Sequence, residues 1–304
     1  KGSDGGSEIT ALTLDMSEAG AAIFGGSLNI PNDIIHSGDT NTMIRFTSDN
    51  IRLQAGGNNT LELAGANATF AGAVTGTSFN SIPFFTDTTN NSMYTHSISG
   101  GSGAQNNTGY GFDTLQGITS GDNNTTIGRN AGGSLNTANN NAILGSFAGD
   151  ALTSGSNNVA VGFGALSTET TGSQNVAIGH QALLVQEVQG DAYNTAVGFE
   201  AGKAVTTGIQ NTIIGGLAGD ALTTGTSNTV LGYGALSTED TGSRAVAIGY
   251  KALLTQDYNG NSYNIAIGYE ASKSVTTGIF NIALGGLALG GNFLTGSRNI
   301  GVGY

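Results

Sequence analysis

Between Asn124 and Tyr304 one short phrase recurs eleven times: Asn, two small or branched residues, an aliphatic residue, Gly, two variable residues, then Ala. Asn158-Val159-Ala160-Val161-Gly162 and Asn264-Ile265-Ala266-Ile267-Gly268 are two of its copies. The first residue of each copy stands at 124, 141, 158, 175, 194, 211, 228, 245, 264, 281 and 299, with Ala245 replacing Asn once. The steps are 17, 17, 17, 19, 17, 17, 17, 19, 17 and 18 residues. A unit this short cannot bury an apolar face by itself. It folds by stacking on its neighbours, which predicts a solenoid.

A longer period lies over the short one. Residues 141–210 align with 211–280 without a gap, 42 of the 70 pairs are identical, and the 19-residue step recurs at Gln186–Tyr193 and Gln256–Tyr263. Duplicating a block of four coils lengthens a rod, whereas an enzyme needs its active site once. Composition points the same way. With 51 Gly, only 10% charged residues and 38% hydrophobic residues, the chain lacks the large side chains of a thick core and suits a thin, repeated one. A net charge of −12 and nine scattered basic residues argue against a nucleic-acid partner or an anionic membrane. There is no Cys for disulfides or Cys-based metal sites, and no apolar run approaches a transmembrane helix. The chain starts without Met and stops just after Asn299-Ile300-Gly301-Val302-Gly303, the opening of another coil, so a piece of a longer polypeptide is expected.

Within the phrase, strand alternation puts Val159 and Val161 on one face and Ala160 and Gly162 on the other. Both faces are apolar, one bulky and one small, and a strand of that kind expects cover on both sides. The Ala/Gly face is therefore expected to meet another chain, in a cyclic oligomer and most simply a homotrimer. The Asn residues 141, 158, 175, 194, 211, 228, 264 and 281 are expected to stack as a structural ladder, each amide bonding backbone along the rod. A Thr-Gly-Ser or variant just before the ladder position, as in Thr171-Gly172-Ser173, Thr224-Gly225-Thr226, Thr241-Gly242-Ser243 and Thr295-Gly296-Ser297, suits a corner.

Three regions follow from this: 1–80, a β-rich stalk or shoulder; 81–123, a connector and cap; and 124–304, the repeat, continuing past the end. In the first, Leu12–Met16, Met43–Phe46, Ile51–Gln54 and Leu61–Leu63 alternate like short strands, with turns at Ser48-Asp49-Asn50 and Gly56-Gly57-Asn58-Asn59. The second is rich in Ser, Thr, Asn and Gly, and its aromatics Phe84, Phe85, Tyr94, Tyr110 and Phe112 are expected to cap the first coil.

The phrases Asn175-Val176-Ala177-Ile178-Gly179-His180-Gln181-Ala182 and Ala245-Val246-Ala247-Ile248-Gly249-Tyr250-Lys251-Ala252 resemble the head repeats of YadA-like trimeric autotransporter adhesins, over residues 124–304. That resemblance implies a left-handed parallel β-roll with three chains about one axis, here with a period longer than the adhesin repeat. The stretch Ile34–Phe46 looks like tail-fibre and appendage proteins of bacteriophages. The fold class expected is all-β: a parallel, left-handed β-roll or β-solenoid of about eleven coils, trimeric, preceded by a β-rich stalk.

Catalytic, metal and cofactor chemistry finds little footing. His36, His96 and His180 are far apart, and Tyr250 stands where His180 does in the second block. There is no Gly-x-Ser-x-Gly elbow. Gly198–Lys203 is one residue short of a phosphate loop and lacks its Ser or Thr. Paired carboxylates cut glycans, but Asp150, Glu169, Glu187, Asp191 and Glu200, with counterparts Asp220, Glu239, Asp257 and Glu270, recur about once per coil, as solvated corners would. No catalytic residue, metal or cofactor is expected.

The two 19-residue coils are the stronger functional candidates. Glu187, Asp191 and Tyr193 in the first, and Asp257, Tyr258 and Tyr263 in the second, place acids and aromatics in corners expected to protrude, either as plain bulges or as receptor-binding loops. The residue after each motif Gly (Phe163, His180, Phe199, Tyr233, Tyr250, Tyr269) is aromatic in mid-rod, for packing between coils or subunits or as a receptor-facing stripe. The function expected is a structural, receptor-binding fibre, foremost a phage tail fibre on an extracellular virion appendage. A bacterial trimeric autotransporter-type adhesin is the alternative, and a glycan depolymerase comes third. The partner expected is a cell-surface glycan or protein, with no membrane insertion.

Overall fold

The computed structural model describes residues 103–291 and 295–304, together with six short strands between residues 33 and 94. The chain divides into two units, 1–74 and 75–304. In the first, β1 (Asp33–His36), β2 (Asp39–Phe46), β3 (Ile51–Ala55) and β4 (Asn58–Asn59) form an antiparallel sheet in chain order. The runs Met43–Phe46 and Ile51–Gln54 are strands, as their alternation predicts. Asn58 and Asn59, read as turn residues, instead pair with Ala55 and Gln54. Leu12–Met16, Leu61–Leu63, Ser48-Asp49-Asn50, Phe84 and His96 lie outside the described residues.

The second unit is one long sheet. Strands β5 (Phe85–Asp87) and β6 (Ser92–Tyr94) form a hairpin, and β6 pairs in parallel with β7 (Thr108–Tyr110). From there eleven further three-residue strands follow in unbroken parallel register: β8 (Thr125–Ile127), β9 (Ala142–Leu144), β10 (Val159–Val161), β11 (Val176–Ile178), β12 (Thr195–Val197), β13 (Thr212–Ile214), β14 (Thr229–Leu231), β15 (Val246–Ile248), β16 (Ile265–Ile267), β17 (Ile282–Leu284) and β18 (Ile300–Val302). The molecule is thus all-β, a parallel β-solenoid of about eleven coils of some 17 residues each. No helix among the described residues is long and apolar enough to cross a membrane. The parallel ladder reaches back into the stretch read as connector: Asn107 and Gly111 stand 17 residues before Asn124 and Gly128, a signal masked by the unlike strand Thr108-Gly109-Tyr110.

Each coil is shaped by residues that leave ordinary backbone space. The motif Gly ends the strand at φ between +120° and +145° along the whole column. At Gly162 a Cβ would lie 2.4 Å from the carbonyl oxygen of Gly179, its counterpart in the next coil, so only Gly lets the coils close to strand distance. The residue before each ladder position has φ between 50° and 63°, a left-handed turn made here by Asn, Gln, Ser, Tyr, Arg and Phe without a single Gly.

The ladder itself is as expected. Asn141 Oδ1 accepts the backbone N–H of Asn158 at 2.9 Å, and Asn158 Nδ2 donates to Gly172 O at 2.9 Å. The same pair of bonds recurs at Asn211 and Asn228, and every ladder Asn from 107 to 281 is buried. A buried amide with its donors and acceptor used costs nothing in lost hydration and fixes the register between coils.

The interior is thin. The middle strand residue, Ala160, Ala177 or Ile213 for example, points inward with the motif Ala, and one larger side chain completes each layer. That side chain alternates between two places. Leu166 and Leu183 come eight residues after Asn; where Gly132, Gly149 or Gly219 occupies that place, Leu135, Leu152 or Leu222 enters three residues later. A Cβ on Gly132 would sit 2.6 Å from Leu135, so the two choices exclude each other.

The facing of the strand reverses the expectation. The Ala face is buried in the chain's own coil, and the bulky face looks outward: Ile127, Leu144, Ile178, Ile214, Leu231, Ile267 and Leu284 are 36–46% exposed. Alternation shows which residues share a face. The enclosed face is the one set by the single middle residue of each strand, mostly Ala with Ile143, Ile213 and Val230 among them, and alternation alone does not say which face that is.

Candidate functional site

The two 19-residue coils are where the repeat departs from itself, and each is stitched by a buried carboxylate. Glu169 accepts the N–H groups of Gly172 (2.6 Å), Thr171 (3.1 Å) and Val188 (3.0 Å) and the amide of Gln186 (3.0 Å). Gln186 passes the chain on, accepting Asn194 Nδ2 at 2.8 Å. The second block repeats the relay: Glu239 accepts Gly242 N–H (2.7 Å) and Gln256 Nε2 (2.9 Å), and Asn264 Nδ2 donates to Gln256 at 2.8 Å. Bonds to a charged acceptor are about twice as strong as neutral ones. Gly172 and Gly242 are required beneath the carboxylates, which lie 2.4 and 2.3 Å from where a Cβ would be.

Glu169 and Glu239, read as solvated corners, are therefore fully buried and structural. Gln186 and Gln256 had no assigned role. Their signal was present in the sequence: both blocks keep a Glu and, 17 residues later, a Gln at the place where other coils carry an apolar residue.

Of the six residues expected to face a receptor, Glu187, Asp191 and Tyr193 are exposed in the first corner. In the second, Asp257 and Tyr263 are exposed, while Tyr258 is half-buried. The corner rejoins the ladder at once, with Ser173 donating its N–H to Gly190 O (2.9 Å) and Ala192 donating to Ser173 O (3.0 Å), while Val188 and Ala192 turn inward. Tyr193 Oη donates to Asp191 at 3.2 Å, whereas Glu187 donates its N–H to Thr206 O in the following coil. Tyr193 and Tyr263 occupy the left-handed position before Asn194 and Asn264. The Tyr263 ring stacks on Phe280 at 5.1 Å, and its hydroxyl accepts a hydrogen bond from Arg244 Nη1 at 2.9 Å; Arg244 and Arg298 lie over the two rings at 5.6 and 5.5 Å. This Arg–Tyr–Phe–Arg sequence holds four successive coils together by stacking and cation–π attraction.

The other carboxylates are dispersed. Glu200 pairs with Lys203 at 3.2 Å, and Lys273 pairs with Glu270 and holds that carboxyl below its ordinary value. Asp150 accepts the Ser167 hydroxyl at 2.7 Å. Carboxylate oxygens of Glu239, Asp240 and Asp257 lie within 4.8 Å of one another. Glu239 already accepts N–H donors there, and Thr170 stands in the first block where Asp240 does in the second, so this grouping is not repeated.

The aromatic column after the motif Gly is a pair of ring stacks. Phe163, His180 and Phe199 stack at 5.5 and 5.3 Å, and Tyr233, Tyr250 and Tyr269 at 5.8 and 5.3 Å, with interplanar angles of 8–15°. His180 is one ring of a stack, between two Phe. Gly198 and Lys203 of the phosphate-loop-like stretch are, respectively, a motif Gly stacked on Gly215 and the partner of Glu200. No family model matches the chain, and no match is found among curated proteins or solved structures.

Proposed function

We propose that this chain is a length of structural, receptor-binding fibre, an extracellular appendage of the bacteriophage tail-fibre kind that attaches to a host surface, and that it works as a homotrimer. The observation that carries the reading is the outward aliphatic stripe on a rigid rod. Eleven strands, β8 to β18, about 4.8 Å apart make a stripe roughly 48 Å long, with Val246, Ile265 and Ile282 beside it on the same face. A continuous apolar surface of that length is more than a monomer normally leaves in water. Copies related by cyclic symmetry cover it with the same stripe from each partner. The bulky strand face thus takes the place given to the Ala/Gly face as the surface between chains.

We take the chain to be non-enzymatic, because the fully buried carboxylates Glu169 and Glu239 are engaged by backbone N–H groups and Gln amides, and the one carboxylate grouping, Glu239 with Asp240 and Asp257, is built on one of them and is not repeated in the first block. Attachment is then multivalent: contacts repeated on each chain sum to avidity without a deep pocket. A second reading, a bacterial surface adhesin of the trimeric autotransporter type, draws on the phrase Asn175–Ala182 and shares the same assembly.

Native mass spectrometry of the full chain tests the proposal. The expected species is three chains of 30.4 kDa each. Ile214→Glu with Leu231→Glu and Ile267→Glu, all outward-facing, should give a monomer whose far-UV circular dichroism is unchanged. A monomeric wild type would sink the trimeric fibre.

A further inference from the structure

The ring column is interrupted at a regular place. In chain order it reads Phe163, His180, Phe199, Gly216, Tyr233, Tyr250, Tyr269, Gly286, Tyr304. Rings stacked on one another hide their faces and offer water only their edges, so a face is open only where a stack ends, as it does beside each Gly. Exposure follows this rule. Tyr250, with a ring on either side, is 39% exposed, while Phe199, Tyr233 and Tyr269, each bordering a Gly, are 54, 51 and 57% exposed. At the far end of the first stack Phe147 sits edge-on to Phe163 at 6.0 Å and 74°, and Phe163 is 49% exposed, so this end is partly covered and is not a gap between two facing rings.

We propose that the gaps at Gly216 and Gly286 are binding sites for single pyranose rings of a glycan, each held between two aromatic faces: Phe199 and Tyr233 at the first, Tyr269 and Tyr304 at the second. Two coil spacings separate the bordering rings, about 10 Å, so a six-membered ring in the gap lies about 5 Å from each, within the range of roughly 4.5–7 Å over which aromatic faces hold a neighbour. The gap is floored by bare backbone, over which one wall leans: Tyr233 ring atoms lie 3.5 Å from a Cβ built on Gly216 and Tyr304 ring atoms 3.6 Å from one built on Gly286, whereas Phe199 and Tyr269 bring only backbone oxygens within about 4 Å.

The chemistry selects the sugar. The negative face of an aromatic ring attracts the polarised C–H groups of a pyranose. A sandwich needs C–H groups on both sugar faces, with every hydroxyl in the ring plane and still in water. Pyranosides with all substituents equatorial, β-glucosides and β-N-acetylglucosaminides, meet that condition. Galactosides do not, since the axial 4-hydroxyl blocks one face. The two gaps lie four coils apart, about 19 Å along one line, so separate sugars of a dense glycan surface occupy both and gain avidity. The sites are not the long corners. They rest on the attachment reading for their role and give it a ligand class.

Saturation-transfer NMR on the full chain tests this, with methyl β-D-glucopyranoside and cellotetraose as probes and methyl β-D-galactopyranoside as control. The expected result is transfer to the axial hydrogens of both glucoside faces, with little or none to the galactoside. Gly216→Phe with Gly286→Phe puts into each gap the kind of ring that neighbouring coils already carry, at positions without positive φ, and should abolish transfer while the fold is kept. Phe199→Ala with Tyr269→Ala removes one wall of each gap and should abolish transfer as well. Absence of transfer in the wild type, or its persistence in the filled variant, overturns the proposal. If wild-type and filled proteins attach equally to host envelopes, the gaps are not the attachment site and the proposal falls while attachment stands. If the wild type binds glucosides but attaches to no surface, the gaps stand and the attachment reading falls.

Discussion

Asp150 and Asp220 occupy the same place in the two blocks, and only one is satisfied. Asp150 accepts the Ser167 hydroxyl, whereas Asp220 Oδ1 is buried without a hydrogen-bond partner. Burial pushes the Asp220 carboxyl above its ordinary value, opposed by its own backbone N–H, and nearby Glu200 pushes it further. A raised folded-state value means that the folded chain binds more protons than the unfolded one across that interval, so this residue's contribution falls as pH rises through it. Asp220→Asn removes the ionisation. The variant should melt about 1–2 °C above wild type at pH 7, and the difference should close on acidification as wild-type Asp220 becomes neutral. A constant difference across pH would mean that packing, not charge, is responsible.

At the scale of the element, the 19-residue coil explains the one break in the Asn ladder. Where Asn175 gives way to Ala245, Ala192 gives way to Ser262. Asn175 Oδ1 accepts the Asn194 N–H at 3.3 Å; in the second block the Ser262 hydroxyl stands 3.5 Å from the Asn264 N–H and takes a bond from Gln256 at 3.3 Å. Asn175→Ala alone should therefore cost about 1–2 kcal/mol by leaving a buried donor unpaired, and Ala192→Ser added to it should restore about half. Denaturant melts of the four corners of that cycle measure the coupling, and purely additive effects would refute it. Much of this element was legible. The period exposed the strand, the motif Gly and the ladder, because each must recur to stack. The inward face was misjudged because alternation carries no inside or outside. The Glu169–Gln186 relay was missed because a polar pair in a polar corner looks solvated until its donors are seen. Tyr193, Asp191, Asp257 and Tyr263 do lie on the surface, but the ring stacks, with their two Gly interruptions, are visible in sequence only when the column is read down the coils.

At the scale of the whole molecule, each coil bonds only to its neighbours, so stability is a sum of coils and contacts between adjacent ones. Deleting residues 211–280 joins Gln210 to Asn281, and every strand, Gly and Asn meets the same kind of neighbour as before. The shortened chain should fold, keep its melting temperature within about 3 °C, and measure about 19 Å less along its axis by small-angle scattering. Aggregation of the deletion variant would show that the blocks are not interchangeable.

The gap-free register of the two blocks also has a genetic meaning. Unequal recombination between their coding segments adds or removes four coils without crossing a reading frame, a glycine corner or a ladder bond. Reach can therefore vary among descendants in whole steps, with every intermediate a foldable protein, and each added block brings its own ring stack. A longer solenoid is thus reached by a route that passes through no unfolded ancestor.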